Sequence, residues 1–193
     1  GTYNKAMPVE KQTYRPKTKP DMDAIEAAVD AIAHAKKPIF YTGGGVINAG
    51  PKAAEDLVNF VRETNIPITS TLMGLGAYPA SDRQWLGMLG MHGTYEANWA
   101  MHDCDVMINI GARFDDRVTG RVDKFSPHSL KIHADIDPSS INKNVQIDIP
   151  IIGDAGEIID AMRTVWKNRG YQMDGAAMES WWKQIEDWRA VNC

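Results

Sequence analysis

Two arginines and two aspartates, Arg113, Asp115, Asp116 and Arg117, fall within five consecutive positions of the chain. Guanidinium groups bind phosphate or carboxylate through two parallel hydrogen bonds, and neighbouring carboxylates can orient them or accept hydrogen bonds from ribose hydroxyls. The same residue types also form ion pairs that tie a loop to its scaffold. An anion-binding site and a structural cluster therefore both remain open from these residues alone.

The cluster directly follows an apolar segment, Val106–Ile110, and a glycine, Gly111. A short run of strand-forming apolar residues is typical of a strand buried on both faces of a parallel sheet. Gly111 allows the backbone to turn without steric hindrance from a Cβ atom. Because ligands of open α/β sheets bind beyond the carboxyl ends of the strands, the position of the cluster favours a binding site.

Five further apolar segments are predicted to be strands, at residues 39–42, 66–71, 86–93, 129–136 and 149–153. Helical periodicity separates them: a first helix capped by Asp21 or Asp23, a second from Pro51, one at residues 94–102 and one from Asp154. We expect the first helix to bury Ile25, Ala28, Val29 and Ile32, and the second to bury Ala54, Leu57, Val58 and Val61. Alternation of strands and helices predicts a three-layer, Rossmann-like α/β fold with a doubly wound parallel sheet of about six strands.

Several loops that could hold a ligand follow the predicted strands. The carboxyl ends of parallel strands meet at one edge of the sheet, so these loops should line one crevice. A crevice of that length suits an extended dinucleotide better than a small metabolite. The segments are residues 43–45, 71–73, 111–117, 135–137 and 153–155.

The three glycines at 43–45 only partly match a dinucleotide-binding fingerprint. The third glycine of G-x-G-x-x-G is missing, the following helix is predicted to begin only at Pro51, and the second strand does not end in a carboxylate. This pattern argues against conventional NAD binding. Backbone N–H groups that approach a diphosphate, or a glycine turn without a ligand, remain the two interpretations.

Other kinds of site find no support in the residue spacing. The histidines, His34, His92, His102, His128 and His133, are not spaced as zinc ligands with cysteine or carboxylate. Arginines beside Asp115 and Asp116 oppose a magnesium site, and no nucleophile motif occurs. We therefore expect neither a metal site nor a catalytic residue in this chain. His92 lies between Gly90 and Gly93 and is either a ring that faces a ligand or a loop residue.

The composition is that of an ordinary globular domain, with 193 residues, 44% of them hydrophobic, and a net charge of −4. This charge gives no reason to expect nucleic acid or an anionic membrane as a partner. No apolar stretch approaches the length of a spanning helix, no signal-peptide pattern is present, and two cysteines do not make a disulfide framework. We therefore expect a cytoplasmic location.

The two ends of the chain differ from its centre. Residues 1–20 are basic and rich in proline, which predicts an extended linker, and residues 21–170 are predicted to be the α/β domain. Residues 171–193 are predicted to be a C-terminal helical connector to a missing domain. Its apolar stripe of Met178, Trp181, Trp182, Ile185 and Trp188 could equally pack against the sheet of this domain.

Six motifs occur in order within about residues 20–156. They read Gly-Gly-Gly (43–45), Thr-Leu-Met-Gly-Leu-Gly (71–76), Leu-Gly-Met-His-Gly-Thr (89–94), Gly-Ala-Arg-Phe-Asp-Asp-Arg-Val-Thr-Gly (111–120), Asp-Ile-Asp-Pro (135–138) and Gly-Asp-Ala (153–155). Together these motifs resemble the central domain of acetohydroxyacid synthase (acetolactate synthase) large subunits. The resemblance implies a subunit of three α/β domains, of which the outer two bind thiamine diphosphate and Mg²⁺ across a dimer interface. The central domain of that family binds FAD in a structural role.

The resemblance also implies roles for individual residues. The diphosphate and ribityl region of FAD would contact Gly43, Gly44, Gly45, Gly111, Ala112 and Arg113. The flavin would lie along Thr71, Leu72, Met73, Leu89, Gly90, Met91 and His92, and the adenosine end along Asp135, Ile136, Gly153, Asp154 and Ala155. Asp115, Arg117 and Val118 complete the implied cofactor set. Arg117 resembles the arginine facing the second keto-acid, with Asp116, Met91 and His92 near the same substrate channel.

The parent reaction implied by the resemblance joins two pyruvates, or pyruvate and 2-ketobutyrate, into acetohydroxyacids for branched-chain amino-acid biosynthesis. The parent would be a homodimer or tetramer, with flanking thiamine-binding domains and a possible regulatory subunit. The magnesium-diphosphate motif Gly-Asp-Gly…Asn and the activating glutamate are missing from this chain, so we expect it to be inactive alone. The alternatives are a scaffolding domain without flavin from a related thiamine-dependent enzyme, and an NAD-binding Rossmann-variant enzyme.

Overall fold

The structure is a computed structural model that describes residues 16–191, apart from the side chains of Asp116 and Arg117. Most of the predicted linker therefore lies outside the described residues, and residues 16–20 contain neither helix nor strand. Helices surround a single six-stranded parallel sheet, as the sequence predicted. No helix between residues 16 and 191 has both the length and the apolar character needed to cross a membrane.

The strands are β1 Pro38–Thr42, β2 Ile68–Ser70, β3 Trp85–Met88, β4 Val106–Ile110, β5 Leu130–Asp135 and β6 Ile149–Ile152. Their order in the sheet is β3-β2-β1-β4-β5-β6, and every neighbouring pair is parallel. The order reverses between β1 and β4, where Tyr41 lies opposite Asn109. In a doubly wound sheet this reversal opens a crevice at the carboxyl edge.

The helices are α1 Met22–His34, α2 Gly44–Ala49, α3 Pro51–Thr64, α4 Tyr95–Asp103, α5 Asp116–Thr119, α6 Ala155–Asn168 and α7 Gly175–Arg189. Short 3₁₀ turns occur at Leu72–Gly74, Val122–Lys124 and Pro138–Ser140. Asp21, rather than Asp23, caps α1 through a hydrogen bond to the Asp23 N–H.

The prediction that the helix after the first strand begins only at Pro51 is wrong. Helix α2 starts at Gly44, directly after β1, and Gly50 with φ of 100° separates it from α3. The Gly45 N–H donates to the carbonyl of Gly111 on the neighbouring loop. Since this anchor comes from a residue far away in the chain, local periodicity gave no sign of α2.

The third strand is shorter than predicted and ends five residues earlier. β3 covers Trp85–Met88 instead of residues 86–93. A tight turn follows, in which the Thr94 N–H returns to the Met88 carbonyl and a Cβ on Gly93 would lie 2.3 Å from that same oxygen. The glycines after Met88 therefore build a turn, which the apolar pattern had concealed.

One face of the sheet packs against α1, α3 and α6. Phe40 of β1 contacts Phe60 of α3 edge-on at 5.5 Å, and Phe60 contacts Trp166 of α6 at 6.0 Å. The predicted face of α1, Ile25, Ala28, Val29 and Ile32, is fully buried. The predicted buried face of α3 is partly wrong. Leu57 and Val61 are buried as predicted, but Ala54 and Val58 are only half-buried. Ala53 and Phe60 are buried instead, because the helix face that contacts Phe40 and Trp166 is the one that carries Phe60.

Helix α7 packs four residues of its apolar stripe against this chain. Met178, Trp181, Trp182 and Ile185 are buried. The indole N–H of Trp181 donates to the Pro38 carbonyl at 3.0 Å, and that of Trp182 donates to the Asn65 carbonyl at 2.9 Å. The packing interpretation is therefore confirmed for these residues, whereas the connector role of residues 171–193 stays a prediction.

Candidate functional site

A cleft of about 600 Å³ lies at the carboxyl edge of the sheet, where the strand order reverses. All five segments that were expected to share one crevice contribute to its wall, together with α2. The lining residues are Gly44, Gly45, Asn48, Ala49, Thr71, Leu72, Met73, Gly111, Ala112, Arg113, Asp115, Val118, Ala134, Asp135, Ile136, Asp137, Ser140, Gly153, Asp154 and Ala155. The volume falls within the range of small-molecule sites.

Gly43 and Gly45 allow the loop after β1 to pack closely against the loop after β4. A Cβ on Gly43 would lie 2.4 Å from the Gly111 carbonyl oxygen, and one on Gly45 would lie 2.6 Å from the Gly111 Cα. Their N–H groups donate to the carbonyls of Ile110 and Gly111. The N–H groups of Gly43 and Gly45 are therefore already paired within the scaffold, and Gly43 is not among the residues that line the cleft. A contact of the three glycines with a diphosphate stays a prediction.

A buried asparagine holds the turn after β4. The Asn109 amide donates to the Ala112 carbonyl at 2.8 Å and accepts from the Ala112 N–H at 3.1 Å. Gly111 lies between them with φ of 64°. Sequence reasoning missed this role, although a single asparagine inside an otherwise apolar strand was its visible signal.

The arginine–aspartate cluster is described only in part. Arg113 forms an ion pair with Asp115 at 3.0 Å at the cleft, where the Arg113 side chain is 65% exposed and the Asp115 side chain 44%. Asp116 and Arg117 begin helix α5, but their side chains lie outside the described residues. An anion-binding role of this cluster therefore stays a prediction.

The β2 end of the cleft has an apolar wall. Leu72 and Met73 lie on a 3₁₀ turn and are 67% and 73% exposed. Thr71 caps this turn by accepting from the Gly74 N–H. The turn lies close to β1, because a Cβ on Gly74 would be 2.6 Å from the Thr42 carbonyl. Two large apolar side chains are thus held open toward the cleft.

Residues 89–92 do not reach the cleft wall. Leu89 is buried and lines a separate cavity of about 210 Å³, and Asn98 holds Gly90 through hydrogen bonds to its N–H and carbonyl. Met91 and His92 are exposed. Leu89 shares that cavity with Val118, which also lines the cleft, whereas Gly90, Met91 and His92 line neither of these two spaces.

The β5 and β6 end of the cleft carries carboxylates. Asp154 caps α6 by accepting from the N–H groups of Gly156 and Glu157, as its spacing suggested. Asp135 accepts from the Asp137 N–H at 2.8 Å. A hydrogen bond from the Ser139 N–H lowers the pKa of Asp137 below its ordinary value. These groups are hydrogen-bond acceptors suited to hydroxyl groups.

A row of buried polar side chains runs beneath the cleft across three strands. Tyr41, Asn109 and His133 are in register on β1, β4 and β5, and all three are fully buried. Phe114 covers the row, with its ring 6.0 Å from Tyr41 and 5.2 Å from His133. Burial, reinforced by the negative charge of Asp115, raises the pKa of Tyr41 well above its ordinary value, so this phenol is neutral.

The sequence reasoning missed several lining residues: Asn48, Ala49, Ala134 and Ser140. Asn48 and Ala49 lie on the unpredicted helix α2. In the described part of the chain, no group of three or more histidine, cysteine, aspartate or glutamate side chains could hold a metal ion.

The chain matches the family model described as "Thiamine pyrophosphate enzyme, central domain" over residues 25–162. It is 46% identical over 185 residues to the acetolactate synthase large subunit of Haemophilus influenzae. The aligned segment covers 96% of this chain and 32% of that protein. It is 45% identical to the acetolactate synthase isozyme 3 large subunit of Escherichia coli, with the same coverage. A third relative, acetolactate synthase of Mycobacterium leprae, is 46% identical over 90% of this chain and 27% of its own length.

The chain therefore spans about a third of the length of the curated relatives it matches. The resemblance to acetolactate synthase large subunits is confirmed by these matches. Because the family model matches residues 25–162, more than half of the chain, the chain belongs to the family of thiamine pyrophosphate enzyme central domains.

Proposed function

We propose that this chain is the central domain of an acetolactate synthase large subunit and that its cleft binds FAD. The observation that carries the proposal is the cleft itself, which crosses the point where the strand order reverses. Dinucleotides bind at this position in doubly wound sheets. The names of the relatives support the choice of enzyme.

The chemistry of the cleft fits an elongated ligand with two planar ends. Leu72 and Met73 present apolar surface at one end, and Ile136, which is 38% exposed, does so at the other. Between them lies the closely packed turn at Gly111 with the guanidinium of Arg113. Asp135 and Asp137 offer acceptors for ribose hydroxyls. A flavin, a diphosphate and an adenosine match this sequence of surfaces.

The roles carried over from the family follow this arrangement. Arg113 and the two loops that contain Gly44 and Gly111 would contact the diphosphate. Thr71–Met73 would contact the flavin. Residues 135–136 and 153–155 would contact the adenosine. Arg117, Asp116, Met91 and His92 would face the substrate channel, where a flanking domain completes the site. FAD in this domain serves as a structural group.

The parent enzyme would use thiamine diphosphate and Mg²⁺, held by its outer domains, to decarboxylate pyruvate and join the two-carbon unit to a second 2-keto acid. This chain would contribute the FAD cleft and part of the channel wall. We expect the parent to be a cytoplasmic homodimer or tetramer with a regulatory subunit.

Titration of FAD into the full chain, followed by flavin absorbance and fluorescence, tests the proposal. Ala49→Trp places a large ring in the cleft, and Ala27→Trp, at an exposed position of α1, is the matched control. We expect saturable binding by the wild-type chain and by A27W, with at least about a 10-fold loss in A49W. Equal affinity in both variants would show that FAD does not occupy this cleft.

A scaffolding domain without flavin is the second candidate. It is favoured by the use of the Gly43 and Gly45 N–H groups within the scaffold and by the absence of Gly90, Met91 and His92 from the residues that line the cleft. This candidate predicts no flavin signal, either in the chain or in the three-domain subunit that contains it. NAD added in the same titration tests the Rossmann-variant enzyme, which the lack of a carboxylate directly after β2 disfavours.

A further inference from the structure

Two side chains near the end of β5, His133 and Asp135, project from the same face of the sheet. Residues two apart in a strand share a face, and Asp135 is the last residue of β5. Asp135 lines the cleft, whereas His133 lies one step deeper. The imidazole is 0% exposed and the carboxylate is 11% exposed. The histidine therefore lies directly beneath a wall residue of the cleft.

The imidazole of His133 is buried without a hydrogen bond. Within residues 16–191, neither ring nitrogen has a partner. Phe114 packs edge-on against the His133 ring. Asn109 lies beside His133 on β4, but both ends of its side-chain amide are hydrogen-bonded to the backbone of Ala112. A buried donor without an acceptor is costly, so an apolar ring here would stabilise the empty domain better.

The Asp135 carboxylate is the acceptor that lies almost within reach of a His133 ring nitrogen. His133 Nε2 lies 3.7 Å from Asp135 Oδ2, just beyond hydrogen-bond range. Asp135 Oδ1 is already anchored by the Asp137 N–H at 2.8 Å. Because one oxygen is fixed, a small rotation of the carboxylate would bring Oδ2 to the imidazole and set its direction in the cleft.

We propose that His133 is a positioning residue, whose Nε2–H donates to Asp135 Oδ2 when a ribose of the bound dinucleotide places a hydroxyl on the same oxygen. A carboxylate oxygen has two lone pairs, so it can accept from the imidazole and from the hydroxyl together. The inference rests on the proposed function, since the hydroxyl belongs to the adenosine end of FAD.

FAD titration of the full chain with three variants tests the inference. His133→Phe keeps a ring but has no donor, and we expect about a 10-fold weaker affinity. His133→Gln carries an amide nitrogen at the reach of Nε2 and should stay within about 2-fold of the wild type. His133→Asn carries its amide nitrogen at the reach of Nδ1 and should lose as much affinity as H133F.

Thermal unfolding of the same proteins separates positioning from a structural role. H133F removes two unpartnered nitrogens from the core, so its melting temperature should equal or exceed that of the wild type. Lower affinity together with an unchanged or higher melting temperature is expected only if the histidine acts on the ligand. Parallel losses of affinity and melting temperature would overturn the inference.

A double-mutant cycle with Asp135→Asn asks whether His133 acts through Asp135. In the D135N background, H133F should cause no further loss of FAD affinity. Additive losses, or wild-type affinity in H133F, would overturn the inference and leave the proposed function intact. Failure of the wild-type chain to bind FAD would overturn both.

Discussion

At the scale of single residues, Gly43 is fixed by the approach of the loop after β4. We expect Gly43→Ala to lower the free energy of unfolding by about 2–3 kcal/mol, because its Cβ would lie 2.4 Å from a backbone oxygen that cannot move aside. Chemical denaturation measures this change. Gly175→Ala is the matched control, since nothing lies within 4 Å of its Cβ, and it should be neutral or slightly stabilising. A G43A variant as stable as G175A would contradict the close contact.

Asn109 is the second residue on which the cleft depends. Asn109→Ala would leave the N–H and carbonyl of Ala112 without their partner, and we expect a loss of about 2–4 kcal/mol in unfolding free energy. Denaturant titration gives the value, with Asn59→Ala on α3 as a control expected within about 0.5 kcal/mol of the wild type. A loss confined to about 0.5 kcal/mol would mean that the turn at Gly111 is held by other contacts.

At the scale of elements, α7 contributes to the core of this domain. We expect a chain that ends at residue 173 to lose its cooperative thermal transition, because removal of Trp181 and Ile185 exposes the apolar surface that they cover. Differential scanning calorimetry of the shortened chain checks this. A shortened chain that melts like the full one would instead favour residues 171–193 as a connector alone.

An ion pair links α3 to α6 and makes stability depend on pH. Hydrogen bonds from Arg163 lower the pKa of Glu63 below its ordinary value. Because the folded-state pKa is depressed, the stabilisation is present above the unfolded pKa of about 4.3 and is lost as the pH falls through the folded value.

The Glu63 side chain is 32% exposed, so we expect Glu63→Gln to cost at most about 1 kcal/mol near neutral pH. The difference from the wild type should shrink as the pH falls below the unfolded pKa of about 4.3, as measured by denaturation across the acid range. A difference that stays constant with pH would exclude the ion pair as its cause.

At the scale of the whole molecule, the chain holds a cleft but lacks the motifs that activate thiamine diphosphate. We expect the purified chain with pyruvate, thiamine diphosphate, Mg²⁺ and FAD to form no acetolactate, whereas a full-length relative assayed alongside does. Colorimetric detection of acetolactate measures both. Product formed by the chain alone would show that this chain carries catalytic groups of its own.

The sequence predicted the parallel sheet and most of the helices and strands along the chain. These elements could be predicted because apolar runs and helical periodicity are visible within short segments. Val106–Ile110 and the buried face of α1 were read correctly for this reason. Helix α2 and the end of β3 were misread, since a contact with Gly111 and a turn closed on Met88 decide them. Such contacts join residues that pattern analysis treats separately.

The sequence by itself determined that five loops follow parallel strands and must therefore meet at one edge of the sheet. Only the tertiary structure decided what each loop does there. It assigned Gly43 and Gly45 to loop packing, made the Asn109 side chain of β4 hold the following turn, and covered the His133 ring with Phe114. The physical reason is that strand period and glycine content are properties of short segments, whereas hydrogen-bond partners and close contacts depend on which segments the fold brings together.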